Sequence, residues 1–155
     1  MKNKTKNSKS CIKNVSFGKN VKLIEPVNIY GCKIGDNTFI GPFVEIQKNV
    51  KIGKNCKIQS HCFVCELVTI EDNVFISHGV TFTNDKFYKG TPAKGNRKLY
   101  KCTIIGKDVS IGSNSTILPV SICDKTVIGA GSVVTKDILK AGVYAGNPAK
   151  KIKDL

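Results

Sequence analysis

Residues 34–82 read IGDNTFIGPFVEIQKNVKIGKNCKIQSHCFVCELVTIEDNVFISHGVTF. Within this stretch Ile34, Ile40, Ile46, Ile52, Ile58, Val64, Ile70, Ile76 and Phe82 follow one another at an unbroken spacing of six. Four residues after each of the first eight stands a small or medium side chain able to point inward: Thr38, Val44, Val50, Cys56, Cys62, Val68, Val74 and Val80. A helix needs a period near ~3.6 and a simple strand needs strict alternation, so neither accounts for the pattern. Gly and Asn or Asp recur just after the aliphatic position, as in Ile34-Gly35-Asp36-Asn37, Ile52-Gly53-Lys54-Asn55 and Ile105-Gly106-Lys107-Asp108. These residues tolerate positive φ and sharp corners, so each hexad predicts a short strand plus a bend. Three hexads then close one triangular coil of 18 residues, with the aliphatic side chains stacked in interior columns. The expected fold is an all-β solenoid, a parallel β-helix.

Outward from this core the pattern continues. On one side Ile105, Ile111 and Ile117 precede a five-residue step to Ile122, Ile128 and Val134; on the other, Phe17, Leu23 and Ile29 precede a five-residue step to Ile34. Phe82 and Ile105 stand 23 positions apart, so about 17 residues from Asn84 to Lys101 leave the coil, and the extruded loop spans about 83–103. An insertion of that length in a compact solenoid points to function. Its aromatic residues Phe87, Tyr88 and Tyr100 need a surface, and a neighbouring subunit is the expected one.

Composition narrows the class. The chain has 155 residues, 41% of them hydrophobic, with no Trp and 14 Gly. That excludes a disordered chain and does not fit a Leu/Ala-rich bundle. Lys plus Arg number 25 against 11 Asp plus Glu, a net charge of +14. Much of the excess lies in a basic polar tail over 1–10, with Lys2, Lys4, Lys6 and Lys9, and in Lys150, Lys151 and Lys153. Solvated ends explain most of it; a polyanionic small molecule is the next reading, and nucleic acid is not expected without a basic and aromatic motif. The longest apolar run is far short of a bilayer span and the start, MKNKTKNSKS, lacks an apolar signal region, so a soluble cytoplasmic protein with no membrane partner is expected. Seven cysteines, including Cys62-x-x-Cys65, lack paired ligand blocks and read as reduced, packed thiols, with no metal site expected.

The coil geometry turns spacing into adjacency. Residues 18 apart share a corner of successive coils, so Glu66 should lie under Asn84, and Ser60 under His78 with His61 beside it. Ser60, His61, Glu66, His78, Asn84 and Asp85 therefore gather along two adjacent corners where the loop departs. Each also has a structural reading, since His and Glu at turns are often solvated and Asn84-Asp85 can simply launch the loop.

The hexads together resemble the hexapeptide-repeat acyltransferases, over nearly the whole chain from about residue 12. Residues 58–72, Ile58-Gln59-Ser60-His61-Cys62-Phe63-Val64-Cys65-Glu66-Leu67-Val68-Thr69-Ile70-Glu71-Asp72, followed by Phe82-Thr83-Asn84-Asp85, are similar to the sugar N-acetyltransferases that acetylate nucleotide-linked 3-amino sugars in making surface polysaccharide such as the O-antigen of lipopolysaccharide. Val27-Asn28-Ile29-Tyr30-Gly31 resembles the same group, while Val127-Ile128-Gly129-Ala130-Gly131-Ser132 and Ala145-Gly146-Asn147-Pro148-Ala149-Lys150 resemble coenzyme A-binding coils and a short closing segment shared across the superfamily. The resemblance implies one left-handed parallel β-helix domain over 11–155, working as a homotrimer with the site between subunits, and acetyl-CoA as cosubstrate. It favours a dTDP-3-amino-3,6-dideoxyhexose over a UDP-2-acetamido-3-amino sugar.

In that frame Asn84 orients the amine, and Glu66 or Asp85 takes its proton or holds the ammonium. Ser60, His61, His78 and Tyr88 line the sugar or pyrophosphate site. Gly112 and Ala130 follow the pantetheine arm, and Lys136, Pro148, Lys150 and Lys151 attend the rest of coenzyme A. Related O-acetyltransferases carry a His base near the loop, where this chain reads Thr83-Asn84-Asp85; an amine needs less help than a hydroxyl, which fits N-acetylation. The rival readings are an O-acetyltransferase acting on a sugar or serine hydroxyl, and a non-catalytic scaffold, which would show a regular Thr face and no loop. A γ-type carbonic anhydrase needs three His ligands, and the chain has two.

Overall fold

A computed structural model describes residues 10–88 and 90–155. The expected tail, with Lys2, Lys4, Lys6 and Lys9, lies outside them except for Ser10. Each hexad forms a strand of two or three residues in which the residue before the inward aliphatic one faces out, as with exposed Lys51 and buried Ile52. The strands stack into three sheets that form the walls of a prism.

The first face stacks Cys11–Lys13, Asn28–Tyr30, Glu45–Ile46, Phe63–Val64, Thr81–Phe82, Thr116–Ile117 and Val133–Val134, all parallel. The second stacks Ser16–Phe17, Lys33–Ile34, Lys51–Ile52, Val68–Ile70, Thr103–Ile105 and Ser121–Ile122. The third runs from Lys22–Leu23 through Phe39–Ile40, Lys57–Ile58, Phe75–Ile76, Ser110–Ile111 and Thr126–Ile128 to Gly142–Ala145. Lys150–Lys153 then turns back antiparallel and closes that end, as the expected closing segment. Among the described residues the only helical element is the 3-10 turn Arg97–Leu99 in the loop, and no helix is long and apolar enough to cross a membrane.

Register makes the core. Ile34, Ile52, Ile70, Ile105 and Ile122 lie directly above one another, as do Ile40, Ile58, Ile76, Ile111 and Ile128. All are buried. Burying one such side chain stabilises by about 1.5–3 kcal/mol, so these columns outweigh every surface contact. The pattern fades only at the open end, where Phe17 remains 40% exposed. Cysteines fill small inward slots, and Cys56 and Cys62 donate their S–H to the Glu71 and Ser77 carbonyls at 3.0 Å.

The corners carry the strain of closure. At the corner between the second and third faces, Asn20, Asn37, Asn55, Asn73 and Asp108 all adopt φ of 55–60°. Their side chains form a ladder: Asn20 donates to Asn37 at 3.2 Å, Asn37 to Asn55 at 3.3 Å, Asn55 to Asn73 at 3.2 Å and Asn73 to Asp108 at 3.0 Å. Asn is the side chain that tolerates this conformation and bonds its copies one coil away. The five-residue step after Ile29 uses Gly31 at φ 60°, where a Cβ would sit 2.7 Å from Lys48 Cβ.

Replacing Asn55 separates the two contributions. Asn55→Gly keeps the backbone freedom and loses the ladder bonds, an expected cost of about 1 kcal/mol or less at this exposed corner. Asn55→Ala also strains φ, for a total of about 1–2 kcal/mol. Urea unfolding midpoints in the order wild type, Gly, Ala check this.

Candidate active site

The loop leaves the solenoid at the corner between the first and second faces. Parallel register aligns Gln47, Cys65, Thr83, Leu118 and Thr135 along this corner, with Lys48, Glu66, Asn84, Pro119 and Lys136 one position further on. The expected stacking of Glu66 under Asn84 is present: Asn84 Nδ2 donates to the Glu66 carbonyl at 3.2 Å. The loop's neck closes on the same residue, since the Lys101 N–H donates to the Asn84 carbonyl at 2.9 Å.

Glu66 is 7% exposed, an unusual burial for a carboxylate. Two donors converge on one of its oxygens: Asn49 Nδ2 at 2.9 Å from the coil below, and the guanidinium of Arg97 from the loop above. The Glu66 N–H in turn donates to Gln47 Oε1 at 3.2 Å, and Gln47 Nε2 donates to Glu45 Oε1 at 3.1 Å. Tyr30 belongs to this cluster. Burial first, then the carboxylates of Glu45 and Glu66, push its hydroxyl above the ordinary tyrosine value, so it stays a neutral donor at physiological pH.

The loop holds its own shape. Asp85 accepts the Phe87 N–H at 2.9 Å on one oxygen and the Ala93 N–H at 2.7 Å on the other. Asn96 caps the short 3-10 turn by accepting the Lys98 N–H at 3.2 Å, and that turn aims Arg97 back at Glu66. Between loop and corner lies a cavity of about 750 Å³ lined by Glu66, Asn84, Asp85, Tyr88, Tyr100 and Thr83 among others. Its lining includes no histidine among the described residues. Phe87 and Tyr88 are 57% and 63% exposed at its rim, and thus remain uncovered within one chain.

The other expected site residues occupy the corner between the third and first faces. Ser60 Oγ and His78 Nδ1 are 2.8 Å apart, as one-coil stacking requires. His61 lies one position on, stacked against Phe43 with ring centroids 4.8 Å apart and planes at 16°. Ala130 continues this column, and Gly112 lies one position short of it in the coil before. Gly112 has a reason in the fold itself, because a Cβ there would collide with the backbone nitrogen of Ala130 in the next coil. The six polar candidates thus divide: Glu66, Asn84 and Asp85 in the cavity with Tyr88, and Ser60, His61 and His78 at the far edge of the first face.

Lys136 is exposed on the same corner column as Asn84, two coils further along. Pro148 sits in the closing hairpin, whose turn is fixed by the Ala149 N–H donating to the Val133 carbonyl at 2.8 Å. Lys150 is exposed beside it, whereas Lys151 is engaged by Asp154. Arg97, Asn49, Gln47 and Tyr30 are the site residues that the sequence reading missed. Asn49 and Gln47 could have been found by the same one-coil rule, since both lie about one coil before Glu66. Arg97 could not, because a loop has no register.

The cysteines are free thiols, four of them buried. Burial pushes Cys32 and Cys62 up to about 11 and Cys65 up to about 12, and raises Cys56 as well. Cys62-x-x-Cys65 is therefore packing. At pH 8 these thiols stay protonated and unreactive. Alkylation followed by mass is expected to modify Cys11 and Cys102 first and the four buried thiols only on unfolding. Raised native values contribute stability that is complete below the unfolded value near 9 and is lost as pH rises through about 11–12, so urea midpoints should fall over that window.

The bacterial transferase hexapeptide (six repeats) family matches residues 31–66, and the hexapeptide repeat of succinyl-transferase matches 102–136. Galactoside O-acetyltransferase of Escherichia coli (strain K12) is 36% identical over 128 residues, covering 79% of this chain and 63% of that protein. The bifunctional protein GlmU of Clostridium botulinum (strain ATCC 19397 / Type A) is 34% identical over 143 residues, covering 85% of this chain and 30% of that protein. The chain therefore spans less than two thirds of the length of either relative. Among solved structures, a variant of AntD, an N-acyltransferase from Bacillus cereus in complex with dTDP and coenzyme A, matches with a TM-score of 0.79 and 26% identity, covering 90% of this chain and 83% of that one. The two repeat matches, one on each side of the extruded loop, and this structural likeness support the hexapeptide-repeat transferase family for the chain.

Proposed function

We propose that the chain is an acetyl-CoA-dependent N-acetyltransferase acting on the amino group of a nucleotide-linked 3-amino sugar, with a dTDP-3-amino-3,6-dideoxyhexose favoured over a UDP-2-acetamido-3-amino sugar, in making surface polysaccharide. The observation that carries the reading is a buried carboxylate, Glu66, beside the Asn84 amide in a large cavity whose described lining has no histidine. Such a site suits an amine, which arrives as an ammonium, pairs with a carboxylate and needs only to lose a proton. The dTDP and coenzyme A bound by AntD support a nucleotide-linked acceptor and a coenzyme A donor.

The chain's residues divide the work as follows. Asn49 and Arg97 both donate to Glu66 Oε1, which leaves Oε2 to receive the amine proton. Asn84 spends its Nδ2 on the Glu66 carbonyl, which leaves Oδ1 to accept an amine N–H and aim the lone pair. The nitrogen attacks the thioester carbon, the tetrahedral oxyanion collapses, and the coenzyme A thiolate leaves and takes up a proton, giving the amide and free thiol. Holding the amine about 3 Å from the carbonyl supplies most of the rate. Asp85 has both oxygens bound to backbone amides, so its part is to shape the loop. Lys136, Lys150 and Pro148, with Gly112 and Ala130, are the residues offered to coenzyme A. The exposed Phe87 and Tyr88 suit a second copy of the chain, consistent with a homotrimer whose cavity is completed across an interface.

A second reading is O-acetylation, favoured by the Ser60–His78 hydrogen bond, which presents an oriented imidazole of the kind a hydroxyl acceptor requires.

Incubation with acetyl-CoA and a panel of dTDP- and UDP-linked amino sugars, with galactoside and serine as hydroxyl acceptors, separates the two by product mass. The expected result is one acetyl group added to an amino sugar. Glu66→Gln should lower kcat about a hundredfold or more, and Asn84→Ala by a comparable factor. Asp85→Ala should act through the loop, raising KM and tryptic cleavage there together. Transfer to hydroxyl acceptors alone, lost in His78→Ala, would replace the first reading with the second.

A further inference from the structure

A second cavity lies on the first face, away from the loop. It holds about 380 Å³ and is bordered by Pro26, Val27, Asn28, Phe43, Val44 and Glu45. Phe43 flanks it while 56% exposed and stacked on His61. Both residues adopt positive φ, 60° and 61°, in turn positions that Gly79, Asn114 and Gly131 occupy in the coils beyond. A bulky side chain there is strained by of order 1–3 kcal/mol, and such strain gathers at ligand sites. Within the chain the Phe43 ring gains only the stack on His61, and it remains 56% exposed.

The polar edge of this cavity is wired to the proposed amine site. Asn28 Nδ2 donates to Glu45 Oε2 at 3.0 Å, Gln47 donates to Glu45 Oε1, and Gln47 accepts from the Glu66 N–H. Phe43 and Gln47 are four residues apart along one extended stretch, about 13 Å at the rise of a strand. A nucleoside diphosphate bridges such a span between its base and its sugar.

We infer that the cavity beside the stacked Phe43–His61 pair is the base subsite for a pyrimidine nucleoside diphosphate, lying across the first face from the amine site at Glu66. Phe43 offers a flat exposed ring to the base, and Asn28, whose Nδ2 is spent on Glu45, presents Oδ1 as an acceptor to the N–H of a pyrimidine. This rests on the proposed nucleotide-linked acceptor and gives its base a place.

The test uses the full chain with dTDP and UDP as probes in calorimetry. Phe43→Asn is the informative variant, because Asn is the residue this fold prefers at φ near 60°; His61→Asn is its companion. The unfolding midpoint of Phe43→Asn is expected to equal or exceed wild type, with an unchanged sedimentation coefficient. Its affinity for dTDP is expected to fall about tenfold or more, as loss of one base-stacking ring does. Wild-type dTDP and UDP binding that is absent, or that Phe43→Asn leaves unchanged, overturns the inference. So does a change of association state, which would make Phe43 a contact between copies. Dependence of dTDP binding on Phe43 without acetyl transfer to any amino sugar keeps the subsite and removes the reaction. Transfer to the amino sugar with KM unchanged in Phe43→Asn does the reverse.

Discussion

An aliphatic side chain must return to the interior every six residues, and the strand above must place its own directly over it. Everything else in this molecule follows from that register. Ile52 beneath Ile70 beneath Ile105 is one such column, and it holds even though 35 residues separate its last two members. Because the energy lies in these columns, the loop between Phe82 and Thr103 can grow outward without cost to the coil that follows. The chain resumes in register when Thr103 bonds the Leu67 carbonyl at 3.2 Å.

Register also makes each corner a column with its own chemistry. One corner stacks Asn20, Asn37, Asn55 and Asn73 beneath Asp108 and spends these side chains on one another. The corner at which the loop departs places a carboxylate, an amide and a lysine in one line, with the loop's arginine folded back onto the carboxylate. The third corner departs from the Asn pattern with Phe43, His61 and Gly79. Departures from the economical turn residue mark the two corners that border cavities, and the corner of the Asn ladder borders neither of them.

The fold was legible in the sequence because the signal is repeated: no single hexad decides, but nine in a row do. The same arithmetic foresaw Glu66 under Asn84 and Ser60 under His78, since coil spacing is a distance. It set these pairs on two adjacent corners, as found, but did not foresee that only the former lies inside the large cavity, because the loop's path decides where the cavity lies. Nor did it show that Asp85 is spent on the Phe87 and Ala93 amides, or that Arg97 reaches Glu66. Both are contacts within or from a segment that has no period. Gly112 illustrates the converse, a glycine explained by ligand access that the neighbouring coil already requires.

The account stands on the corner at Glu66 and Asn84 being the place where the acceptor nitrogen sits. A crystal structure with coenzyme A and a nucleotide-linked 3-amino sugar tests this most directly. The account expects the amino nitrogen within about 3.2 Å of Glu66 Oε2 and of Asn84 Oδ1, with the loop closed over it. An acceptor bound with its reacting atom beside His78, and Glu66 still enclosed by Asn49 and Arg97 with no ligand atom in reach, would contradict it.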